Sequence, residues 1–114
     1  MVSKFAEKHC IACEGGLPPF SKEDAQELLN EEFRGWCLNE DGSEIRRTYH
    51  FKNYYETIAF VNMVAWLSHQ ENHHPDLEVS YNRCVIHYST HAIGGLSEND
   101  FICAAKLEAW SGII

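Results

Sequence analysis

The chain has 114 residues, a length that suits one domain and lets it bury roughly two-thirds of the surface its unfolded form exposes. Hydrophobic residues make up 45% of it, enough to build a core without disulfides or metal. Seventeen acidic residues against 9 basic ones leave a formal net charge of −8, a field that repels phosphate backbones and anionic membranes and so argues against nucleic-acid or membrane partners.

The start, from Met1 to His9, carries charges where a secretory signal needs an apolar run. The most apolar stretch, Ile58 to Leu67, is interrupted by Asn62 and is too short to span a bilayer. The five cysteines are odd in number and scattered, which suits a reducing compartment better than a disulfide framework. A cytoplasmic location is expected.

Residues 1–20 read as an irregular leader to a single domain spanning 1–114, with Gly15-Gly16 and Pro18-Pro19 as breakers. Ser21-Lys22-Glu23-Asp24 reads as a capped helix start, and that helix carries Ala25, Leu28 and Leu29 inward and ends before Gly35. Trp36–Leu38 and Ile45–Phe51 read as two strands joined through Asp41-Gly42, a hairpin signal. Arg47 falls on the apolar face of the second strand, where an arginine near a strand end can snorkel.

A long helix is predicted from Asn53 to about Asn72, with Tyr54, Ile58, Val61, Ala65 and Leu67 or Ser68 at helical spacing along one face. Pro75 stops it. Leu77, Val79 and Tyr81 then alternate as a strand, Asn82-Arg83 turns, and Cys84, Ile86 and Tyr88 alternate back toward Thr90. Gly94-Gly95 breaks the chain before Ser97-Glu98-Asn99-Asp100 opens a last helix carrying Ile102, Ala105, Leu107 and Ala109. The order α-β-β-α-β-β-α predicts an α+β domain, a four-stranded antiparallel sheet with three helices on one face.

Chemistry concentrates in the histidines. His69 and His73 stand four residues apart and so share a face of the predicted helix, His74 follows where Pro75 redirects the chain, and a hairpin turning at Asn82-Arg83 brings Thr90-His91 back beside that corner. Imidazoles titrate near neutrality, so a cluster can give and take protons in one turnover. His9, His50 and His87 read as surface or satisfied residues. A zinc site built on His69 and His73 with His74 or His91 is the rival reading, weakened because Gln70 stands where a zinc protease has its glutamate. Cys10 and Cys13 form a CxxC without a second pair at similar spacing, which leaves only an adventitious metal site open. Asp100 has two readings, a helix-capping carboxylate, which is favoured, and a group orienting a histidine.

The stretch from His69 through His73-His74-Pro75-Asp76 to Tyr81-Asn82, followed by Thr90-His91 and Gly95-Leu96-Ser97-Glu98-Asn99-Asp100, closely resembles the pterin-4a-carbinolamine dehydratase family. The leader from Cys10 to Phe20 is similar to that of bacterial and plant members, and Phe60–Ala65 resembles the family's long helix. The resemblance implies the fold already derived. It also implies a hydro-lyase that dehydrates 4a-hydroxytetrahydropterin to quinonoid dihydropterin, recycling the pterin of aromatic amino acid hydroxylases. It makes His73, His74 and His91 the active-site residues, with His69, Pro75, Asp76, Thr90 and Asp100 supporting them, and requires no metal or cofactor. A homodimer or homotetramer and a functional link to phenylalanine hydroxylase are further expectations. The alternatives are a non-catalytic assembly or dimerisation partner, or a pterin-binding protein of another pathway.

Overall fold

The computed structural model describes residues 4–11 and 18–111. Gly15-Gly16 and Cys13 of the leader lie outside the described residues. Within the expected irregular segment Lys4–Glu7 makes a short 3-10 turn that packs against the last helix, with the Phe5 ring 5.9 Å from Phe33 and 6.3 Å from Phe101.

Helix α1 covers Lys22–Glu32. The Ser21 hydroxyl accepts the Asp24 N–H at 3.1 Å, satisfying one of the donors a helix start leaves open, and Glu23 and Asp24 complement its positive end. Ala25 and Leu29 are buried and Leu28 packs at the core's edge. Strands β1 (Cys37–Leu38) and β2 (Ile45–His50) follow, and the turn between them places Gly42 at φ 78°, a left-handed conformation in which a side chain is strained.

Helix α2 covers Tyr54–Glu71, capped by Asn53, whose Oδ1 accepts the Glu56 N–H at 2.9 Å. Its buried residues are Thr57, Phe60, Val64, Leu67 and Glu71, so of the expected stripe Leu67 is buried while Tyr54 and Ala65 are exposed and Ile58 and Val61 half-buried. Apolar side chains lie nearly all round this helix, so spacing offers more than one stripe, and packing against Tyr49 and Phe51 selects the one through Phe60. The helix stops at Asn72, which adopts the left-handed conformation (φ 51°) that short polar side chains tolerate.

Strands β3 (Asp76–Ser80) and β4 (Arg83–Tyr88) form a hairpin whose two-residue turn is Tyr81-Asn82, one residue earlier than expected. Because Ser80 pairs with Arg83, Tyr81 belongs to the turn and Arg83 to the strand. The sheet order is β1-β2-β4-β3, all antiparallel, with Ile45 opposite Tyr88 and Asp76 opposite His87. A second 3-10 turn (His91–Ile93) and helix α3 (Glu98–Ser111) complete the predicted order.

Period-two alternation puts Ile45, Tyr49, Cys84, Ile86 and Tyr88 on the inner face, against Phe60, Val64, Leu67 and Phe101 of the helices. Arg47 does lie on this face. Its guanidinium stacks 4.5 Å from the Tyr49 ring centroid and pairs with Glu108 at the rim. Residues Asn99–Leu107 of α3 are all buried, since the 3-10 turn at Lys4–Glu7 covers the side that the sheet and α2 do not. Among the described residues no helix is long and apolar enough to cross a membrane.

On the outer face His87 is held between two carboxylates, Glu44 on Nδ1 at 2.9 Å and Glu78 on Nε2. Partial burial opposes its charge, but the hydrogen bonds to Glu44 and Glu78 outweigh that and raise its pKa above the ordinary imidazole value. A raised folded-state pKa stabilises the fold fully below the unfolded value, about 6.5, and the contribution is lost as pH rises through the folded value. Chemical denaturation of His87→Gln should therefore show its largest deficit relative to wild type near pH 6, shrinking by pH 9.

Candidate active site

The α2–β3 corner and the end of β4 meet at the N-terminus of α3. The left-handed Asn72 turns the chain out of α2, and the His73 N–H bonds back to the Ser68 carbonyl at 3.2 Å. His73 and His74 therefore occupy a turn, with Pro75 leading into β3. The strand register carries Thr90 and His91 past the end of β3, alongside this corner. A bridge between Thr90 and Gly95 then closes the 3-10 turn that presents His91.

Asp100, in the first turn of α3, sits under the corner with 0% exposure. Its Oδ2 accepts the Ser97 N–H at 3.0 Å and the Thr90 hydroxyl at 2.7 Å, and its Oδ1 lies 2.6 Å from His73 Nε2. Both readings of Asp100 thus describe the same side chain. It accepts the N–H at the helix start, as a capping carboxylate does, and it holds a histidine. An ionised carboxylate only accepts, so the ring donates through Nε2–H, and the neutral form of the ring then carries its lone pair on Nδ1. The His73 ring also lies flat over Tyr88, interplanar angle 9° and centroids 5.9 Å apart. Burial pushes the Tyr88 phenol well above its ordinary pKa, so the ring beneath His73 is neutral at physiological pH.

Beside this corner opens a cavity of about 500 Å³ whose lining includes His73, His74, Thr90 and His91, with Gln70, Asn72 and Ser89 as further polar groups. His74 and His91 are exposed, whereas the His73 side chain keeps 13% of its accessibility. The structure thus brings the histidine trio, Thr90 and Asp100 together. His69, Pro75 and Asp76 do not line the cavity. His69 packs at a tilt against Trp66, with centroids 5.6 Å apart, on another part of α2. It shares no helical face with His73 because the helix ends at Glu71, two residues short of His73. Among the described residues no group of three or more His, Cys, Asp or Glu side chains could hold a metal ion.

Two groups at this cavity carry no mark in the histidine pattern. Glu71 lies on the buried stripe of α2, where a carboxylate at core spacing is the only sequence signal. Asn99, beside the capping serine, gives none. Cys10 also reaches the cavity, with its sulfur 3.5 Å from that of Cys103 on α3.

Residues 18–110 match the family model described as Pterin 4 alpha carbinolamine dehydratase. The chain belongs to this family. With it comes membership of the hydro-lyases, and relatives of the dehydratase family match almost end to end. A Nitrosomonas eutropha protein provisionally named pterin-4-alpha-carbinolamine dehydratase is 58% identical over 107 residues, covering 94% of this chain and 93% of that protein. A similarly named Legionella pneumophila protein is 50% identical, covering 95% and 96%.

Among solved structures, a transcriptional coactivator/pterin dehydratase from Brucella melitensis superposes with a TM-score of 0.74 at 26% identity, over 80% of this chain and 96% of that one. A pterin dehydratase-like protein described as a RuBisCO assembly factor in the alpha-carboxysome shares the fold, with a TM-score of 0.60 at 23% identity over 68% and 90%.

Because Asp100 serves both Thr90 and His73, the cost of altering it should be shared with its partners. Asp100→Asn should lower unfolding free energy by about 2 kcal/mol and Thr90→Val by about 1 kcal/mol, the range for hydrogen bonds to charged and neutral groups. The double variant should fall short of the sum in urea denaturation, as coupled neighbours do.

Proposed function

We propose that the protein dehydrates 4a-hydroxytetrahydropterin to the quinonoid dihydropterin by histidine acid–base catalysis, recycling the pterin used by aromatic amino acid hydroxylases. The observation that carries this reading is His73, anchored on a fully buried carboxylate and sharing one cavity with His74 and His91. Loss of water from the substrate requires that the 4a-oxygen leave protonated while the N5 proton is removed. His73, donating Nε2–H to Asp100, has Nδ1 free to take the N5 proton, and Asp100 stabilises the imidazolium that forms. His91, exposed and therefore able to exchange protons with water, supplies the proton to the departing hydroxyl. His74 orients the ring.

The anchoring favours catalysis over a purely assembling role, since a scaffold has no use for a histidine whose tautomer is set toward a cavity. Self-association into a dimer or tetramer is compatible with this reading. The outward Tyr54, Tyr55 and Trp66 of α2 and the edge strand β3 are surfaces that a second copy would cover. A cytoplasmic hydroxylase, phenylalanine hydroxylase among them, would supply the substrate.

The test is the dehydration rate of chemically prepared 4a-hydroxytetrahydropterin after chelator treatment. Wild type should accelerate it. His73→Ala and His91→Ala should each lose about 10²- to 10⁴-fold in kcat, the usual contribution of a positioned acid or base, and His74→Ala should mainly raise KM. Loss of turnover in His74→Ala alone would overturn the assignment of roles. No acceleration by the folded wild type would overturn the dehydratase reading.

A further inference from the structure

The family model begins at residue 18, yet an earlier segment reaches the cavity that holds the histidines. We propose that Cys10 and Ile11, held in place by the segment Lys4–Ile11, form a wall of the pterin site and that Ile11 touches the substrate and sets its affinity. This inference rests on the dehydratase reading.

The path of the segment is specified by polar side chains that have little access to water. Glu71 at the end of α2 and Asn99 and Lys106 on α3 are 9%, 7% and 8% exposed, and burying such groups is costly unless they are paired. All three have partners on the segment's backbone. Glu71 Oε1 accepts the Cys10 N–H at 2.8 Å, and Lys106 Nζ donates to the Ala6 carbonyl at 2.9 Å. The Asn99 amide takes Ile11 at both ends, accepting its N–H at 3.0 Å and donating to its carbonyl at 2.6 Å. Burial opposes the charge of Glu71, but the Cys10 N–H, the His9 ring and Lys106 outweigh it and hold the carboxyl below its usual pKa. Phe5, seated against Phe33 and Phe101, anchors the other end.

These bonds hold Ile11 in place and leave the residue 78% exposed. An aliphatic side chain fixed by its own backbone and left largely uncovered by the described residues gains little burial energy in the free protein. A ligand lying on it would supply that burial. Ile11 lines the cavity with His73, His74 and His91, where the other groups that could meet a flat heterocycle are largely polar. Histidines and amides suit the polar edge of a pterin, and Ile11 suits its apolar face or the substituent it carries.

The experiment compares wild type with Ile11→Ala and Asn99→Ala in turnover of 4a-hydroxytetrahydropterin and in equilibrium binding of 7,8-dihydropterin, a non-reacting stand-in. Ile11 is exposed, so its truncation leaves the fold intact even if Asn99→Ala does not. Both variants should raise KM and weaken dihydropterin binding by roughly five- to tenfold, as partial loss of apolar contact predicts, with kcat held within about twofold. Unchanged KM and affinity in variants that still turn over would overturn the role of the segment and leave the dehydratase reading standing. A fall in kcat alone would also overturn it, because the segment would then act on the chemical step. Wild type that binds dihydropterin without turnover would remove the dehydratase reading, and the inference with it.

Discussion

A single buried carboxylate organises this molecule. Asp100 has no access to water, so its charge must be met by protein groups or the fold loses several kcal/mol. The groups that meet it come from the Ser97 backbone at the start of α3, the Thr90 hydroxyl past the end of β4, and His73 beyond the end of α2. The positive end of α3 adds to these. Satisfying one side chain therefore joins three elements that are distant in sequence, and the place where they join is the cavity.

The same constraint separates the histidines. His73 is fixed in ring orientation and tautomer by Asp100 and by the Tyr88 ring beneath it, whereas His74 and His91 remain exposed. Three imidazoles with similar intrinsic chemistry thus acquire different environments, which is what separate acid, base and orienting functions need. The leader repeats the device: Glu71, Asn99 and Lys106 are buried polar groups whose partners lie on the backbone of Lys4–Ile11.

The fold itself is permissive. Structures at 23% and 26% identity to this chain share it, and one of them is described as an assembly factor. An α+β sheet with helices on one face sets where the corner lies, while chemistry depends on what occupies the corner. Here the occupants are histidines with a carboxylate behind them.

Much of this was legible in the sequence because it rests on local rules. Ser21 caps by a direct side-chain bond, Asp41-Gly42 turns because glycine tolerates positive φ, and alternation along β2 and β4 assigns each side chain to a face. The His-His-Pro corner and the Thr-His pair stand out as residue types at fixed spacing. Other features depended on contacts no local rule contains. The buried stripe of α2 was chosen by Tyr49 and Phe51, because a helix apolar nearly all round does not select its own face. His69 left the site because Asn72 took the left-handed conformation and ended the helix before His73. The partners of Asp100, Glu71 and Asn99 were settled only when distant segments closed on buried polar groups, whose need for a hydrogen bond is local but whose means of meeting it is not.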